Sequence, residues 1–152
     1  MKTAAAVLVV SLAIVLCATA AAATPTAYRA QVNAICRAYT PAFHRLQAQM
    51  NTATKTKDGR AYGLALGQAL ALALQQDRRV EAVPVPAALK PQVTPILTLM
   101  RKIDTEVRLA LDRAIAGDTN GMVTRLKAVS RQTKPLNAML DAAGLRDCGS
   151  NQ

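Results

Sequence analysis

The residues with chemical potential in this chain are few: three cysteines, one histidine, nine carboxylates and nineteen lysines and arginines among 152 residues. Cys36 and Cys148 stand near the two ends of the segment that follows residue 23 and enclose almost all of it. In an oxidising compartment an even pair of this kind suits a disulfide. A loop of ~100 residues closed in this way is worth about 4–5 kcal/mol if the bridge acts on unfolded-chain entropy. Two unpaired buried thiols are the alternative. The pair lacks partners for a metal, because His44 is the only histidine and a closed zinc site needs four ligands. His44 shares a helical face with Arg37, but no Ser, Cys or Asp is placed to complete a triad. It reads as a surface or boundary histidine. Asp104 and Glu106 fall on different helix faces and make a poor carboxylate pair. There is no Gly-rich phosphate loop and no zinc-type helix motif. The expectation is a protein that is not an enzyme, with no catalytic residues, metal or cofactor.

Charge is the more informative feature. The formal net charge is +10, and every cation except Lys2 lies after residue 23. Between residues 24 and 57 stand Arg29, Arg37, Arg45, Lys55 and Lys57 with no acid among them. Later in the chain Lys127, Arg131 and Lys134 are spaced four and three, so they share one face of a helix, with Arg125 nearby. No acid follows them until Asp141. Such a stripe attracts an anionic envelope polymer or an anionic lipid surface. An ordinary solvated helix face is the competing reading. Nucleic acid is a weaker candidate partner, since no aromatic is interleaved with the stripe to stack bases.

The N-terminus has the three parts of an export signal. Lys2 is the charged start, 4–16 is an apolar run interrupted by Ser11, and 18–23 offers small-residue cleavage sites. The chain therefore divides into a signal peptide, 1–23, and a single domain, 24–152, secreted or held in the cell envelope. An uncleaved anchor is the alternative, because 4–23 is about the ~20 residues that cross a bilayer. Lipidation at Cys17 is another, although Leu16 stands where a small residue normally precedes an acylated cysteine. On the first reading Cys17 leaves with the signal. Past residue 23 no segment is long and apolar enough to be read as a membrane span.

The elements that would position these residues are helices. Ala and Leu dominate, Trp is absent, and aromatics are 3%, a composition that favours helix over sheet. The spacing predicts four helices. The first covers 27–51, with Tyr28, Val32, Ile35, Tyr39 and Phe43 on one face. A polar loop follows over 52–60. The second covers 61–83; its Leu-rich first half, with Gly63 and Gly67, reads as a core helix. Pro84, Pro86 and Pro91 make a stiff connector. The third covers 92–116 with a stripe from Val93 through Ile96, Met100 and Ile103 to Val107. Gly117 suits a helix C-terminus, and Asp118 or Thr119 the next N-cap. The fourth covers 119–143, ended by Gly144 with Leu145 as its apolar follower. The fold class is all-α, an up-down-up-down four-helix bundle. In that topology the end of helix four lies beside helix one, where Cys148 and Cys36 meet.

A bundle core can also carry a ligand. Tyr39, His44, Met50, Met100, Met122 and Met139 include residue types that bind haem iron, although Met at stripe positions more often fills core. Pro41 and Pro135 should kink helices one and four and could open a cavity for a small apolar ligand between them.

Two segments carry a resemblance. Ala34-Ile35-Cys36-Arg37 and Gly144-Leu145-Arg146-Asp147-Cys148-Gly149 resemble the cysteine segments of a group of small secreted or lipid-anchored actinobacterial proteins. The resemblance covers these two segments and the overall length. It implies a helical fold and a Cys36–Cys148 bridge, and it implies no activity.

Overall fold

The computed structural model describes residues 24–150; the predicted signal peptide, 1–23, lies outside them. Four helices account for most of these residues: α1 (Pro25–Thr56), α2 (Gly59–Glu81), α3 (Lys90–Ile115) and α4 (Thr119–Ala142). Short 3-10 turns at Ala87–Leu89 and Arg146–Cys148 flank the second hairpin. The described residues contain no strand. The bundle is closed by the expected disulfide between Cys36 and Cys148, whose Cα atoms are 5.1 Å apart.

Each helix end has a local cause. The Thr24 hydroxyl accepts from the Ala27 amide, and Pro25 fills a first-turn position whose N–H would be unpaired in any case. Asp58 and Asp118 cap α2 and α4 by accepting from the Ala61 and Gly121 amides at 2.9 and 2.8 Å. α3 ends in Gly117, with φ +72°, and the Asp118 amide reaches back to the Arg113 carbonyl. α4 ends the same way: Gly144 has φ +78°, the Leu145 amide bonds the Leu140 carbonyl, and Leu145 is buried in the core. This is the six-to-one closure that a left-handed residue permits.

The first connection is shorter than the sequence suggests. The predicted loop over 52–60 contracts to Lys57 and Asp58, because α1 runs on to Thr56. Thr52, Thr54 and Thr56 each donate their hydroxyl to the carbonyl four residues back, so these polar side chains are satisfied within the helix. Lys57 then takes the left-handed position, φ 56°, that Gly117 and Gly144 hold after α3 and α4. Pro91 belongs to the first turn of α3 rather than to the connector. Both α1 and α4 continue through Pro41 and Pro135.

α1 packs along α2, and α3 along α4, while the two hairpins meet mainly at one end. That end holds the main core, with Tyr28, Val32, Ile96, Leu140 and Leu145 among its most buried members. A smaller cluster of Leu74, Ile103 and Val107 continues it toward the turn end. Beyond that the core thins. The Leu-rich half of α2 is core only in part: Ala65 and Leu74 are buried and Leu70 packs beside Leu74, but Leu64 is 61% exposed and Gly63 and Gly67 face open space. Ile115, at the other hairpin's tip, is 86% exposed.

The end of α4 is fixed to α1 by more than the disulfide. Arg29 Nε donates to the Ala143 carbonyl at 2.8 Å. Asn33 donates to the Gly144 carbonyl at 3.0 Å and accepts from the Asp147 amide at 3.2 Å. Arg37 pairs with Asp147. Positions 29, 33, 36 and 37 follow one face of α1. A side chain at Gly144 would strike Arg29 as well as strain the backbone.

Two outcomes follow for stability. The Cys36→Ser/Cys148→Ser double variant should lose about 4–5 kcal/mol in urea unfolding; a loss below ~1 kcal/mol would mean that the joint holds without its bridge. Lys57→Gly should gain ~1 kcal/mol by removing the left-handed penalty, seen as a rise in Tm, and a fall would show that Lys57 makes a contact worth more than its strain.

Candidate functional site

α2 and α3 run antiparallel, and their facing charges follow one seam. Arg101 donates to Glu81 at 2.9 Å. One turn further from the connector, 81 becomes 77 and 101 becomes 104. This register brings Asp77 and Asp104 together, and their carboxyls share a hydrogen bond. Burial is the largest influence on Asp77, followed by the hydrogen bond and charge of Asp104 and the charge of Glu81. Together they push its pKa from 3.8 up to about 8. Burial also raises Asp104, opposed by the hydrogen bond from Asp77 and by the guanidinium groups of Arg108 and Arg78. At neutral pH Asp77 is therefore largely protonated.

The pair separates two recesses. Outside it is a charged groove of about 450 Å3, where Arg78, Glu81, Arg101, Asp104 and Arg108 line the α2–α3 surface. Inside it is a cavity of about 230 Å3 bounded by all four helices, with Asp77 in its wall. Phe43 and Leu136, close to Pro41 and Pro135, also line the cavity, but α2 and α3 line it as well, so it is not the gap between α1 and α4 that the sequence suggested. Most of the wall is apolar, contributed by Met100, Ile103, Val107, Val129 and Leu140 among others. The polar members are Gln76, Asp77, Thr133 and Asn137.

This arrangement can hold and exchange a proton and can bind. Among the described residues no three of His, Cys, Asp and Glu converge to hold a metal ion. The haem-type side chains do not gather either. His44 is exposed, and Tyr39 is buried under the Arg79 guanidinium, 5.6 Å from its ring centre. Of the methionines named with them, only Met100 lines the inner cavity.

The cationic stripe divides in two. Lys127, Arg131 and Lys134 are exposed on α4 and make no ion pair among the described residues. Arg125 is different: it donates to Glu106 of α3 at 3.1 Å, so an acid on the neighbouring helix offsets it. Arg29 and Arg37, counted in the sequence as part of an unopposed basic stretch, are engaged at the α1–α4 joint. Most acids are likewise occupied inside the fold. Asp58 and Asp118 cap helices, Glu81, Glu106 and Asp147 pair with arginines, Asp77 and Asp104 hold each other, and Asp141 accepts from the Ser150 amide.

Sequence reasoning set Asp104 beside Glu106 and missed Asp77. The signal was present in the register: once a short connector makes α2 and α3 antiparallel, pairing Glu81 with Arg101 places Asp77 opposite Asp104. No protein-family model, curated protein or solved structure matches this chain.

The raised pKa fixes a sign. The folded protein holds a proton that the unfolded chain releases above pH ~4, so this pair's contribution to stability is greatest below that and declines as pH rises to about 8. Asp77→Asn keeps the hydrogen bond to Asp104 and removes the titration. Its urea stability should exceed the parent's at pH 9, with the difference shrinking toward pH 4. A constant difference between the two proteins across that range would contradict the protonated Asp77.

Proposed function

We propose that this chain is an exported, non-enzymatic binding module of the cell envelope or exterior whose cationic helix surface engages an anionic partner. The observation that carries the reading is the unequal use of charge. The fold engages most of its carboxylates internally and leaves Lys127, Arg131 and Lys134 exposed along α4, with no ion pair among the described residues. After residue 23 stand 18 of the 19 cations and all nine acids, a net of +9, which adds a long-range field that concentrates polyanions at such a face. Export is supported by the signal-like character of 1–23 and by a disulfide on which the hairpin joint relies, since such bonds persist in oxidising compartments. The resemblance to secreted or lipid-anchored actinobacterial proteins agrees with it. No described helix is long and apolar enough to cross a membrane, so contact with a lipid partner would be at its surface.

A second reading, carriage of a small ligand, is favoured by the cavity that residues of all four helices line. Haem is not favoured, because its candidate ligands are dispersed.

The leading reading is tested with phosphatidylglycerol-containing vesicles and, in parallel, a soluble anionic polymer such as heparin. Affinity for at least one should fall steeply as salt rises. Replacing Lys127, Arg131 and Lys134 together by Ala should weaken it by about 3 kcal/mol, roughly a hundredfold, at ~1 kcal/mol per cation. Unchanged affinity in the triple variant, or no binding to either probe at low salt, would reject it.

A further inference from the structure

We propose that the inner cavity is a binding site for a small organic amine, a molecule with a compact apolar body and one protonated amino head seated against Asp77 and Gln76. The apolar wall would take the body. At about 230 Å3 the space is below the ~300–1,000 Å3 of sites for drug-sized ligands, so the body is a short alkyl chain or a single ring. The polar wall would take the head. Gln76 is only 5% exposed and lines the cavity. Its amide can exchange a hydrogen bond with a ligand's N–H in place of one with water. Asp77 is adjacent in the chain and shares that wall. Thr133 and Asn137, one turn apart on α4, are the other polar residues that line it.

The sign of the charge selects the head. The cations near the carboxyl pair, Arg78 and Arg108, line the outer groove and act on Asp104. The charged groups that act on Asp77 are Asp104 and Glu81, both acidic. The cavity wall therefore presents one carboxyl, Asp77, backed by Asp104, with no Lys or Arg among the described residues that line it. An ammonium head is attracted there and a carboxylate head is repelled. An ammonium beside Asp77 also favours its ionised form, so binding expels its proton and strengthens as pH rises toward 8. Arg78 and Glu81 of α2, and Asp104 and Arg108 of α3, are the charged neighbours that set this response.

This site is independent of the α4 stripe. The test uses the chain from residue 24 to 152 with labelled methyl groups, titrated at pH 7 with hexylamine, 1-hexanol and hexanoate. Hexylamine should shift the methyls of Met100, Ile103 and Leu136, and should bind roughly tenfold to a hundredfold more tightly than hexanol, as a charge-assisted hydrogen bond provides. Hexanoate should leave these methyls unmoved. Asp77→Asn, expected to fold at least as well as the parent, should reduce hexylamine to the level of hexanol. Val129→Phe, which fills the cavity from α4, should remove both. The Lys127, Arg131 and Lys134 triple Ala variant should bind hexylamine normally, which separates this site from the surface reading. Hexanoate binding as tightly as hexylamine, an amine affinity unchanged in Asp77→Asn, or shifts confined to methyls outside the cavity would each overturn the proposal.

Discussion

Two helical hairpins are held together here at one end, where the last turn of α4 is fixed to α1. The disulfide from Cys36 to Cys148 lies at the centre of that joint, with Arg29 and Asn33 bonding the terminal carbonyls of α4 and Arg37 bonding Asp147. The chain can make this joint only because Gly144 turns left-handed at the point where Arg29 passes. That turn returns Leu145 to the core and carries Cys148 back onto α1. The largest buried side chains, Tyr28, Ile96 and Leu145 among them, gather around it. Apolar burial and covalent closure therefore act at the same place.

Concentrating the core at one end has consequences at the other. Away from the joint the hairpins touch little, and the core reduces to Leu74, Ile103 and Val107 around a cavity. Side chains that a uniform bundle would bury, such as Leu64 and Ile115, stand in the open. In this looser middle the fold keeps two interacting carboxyls, Asp77 and Asp104, and a glutamine that faces a cavity. Both supply recognition chemistry that a well-packed apolar core lacks.

Much of this was legible in the amino-acid sequence because its causes are local. Gly117 and Gly144 announce left-handed helix ends, Asp118 an N-cap, and the stripe from Val93 to Val107 a buried face. The cysteine pairing could be read because two cysteines at the chain ends have one useful place to meet in an antiparallel bundle. The extension of α1 over Thr52, Thr54 and Thr56 was hidden, since threonines that satisfy themselves inside a helix look in sequence like a loop. Arg29, Arg37 and Arg125 looked like free cations, because their partners lie on another helix or are backbone carbonyls. The Asp77–Asp104 pair was hidden for the same reason: it exists only in the register of α2 against α3.

The central claim is that stability is graded from the joint to the hairpin tips. Amide hydrogen exchange on the oxidised protein tests it most directly, because it reads local opening residue by residue. The account predicts the slowest exchange at Val32, Cys36, Ile96 and Leu140, and much faster exchange in the hydrogen-bonded helix ends near Ala65 and Leu111. On reduction of the disulfide, the protected group should lose most. Uniform protection along all four helices, or tips that outlast the joint, would contradict it.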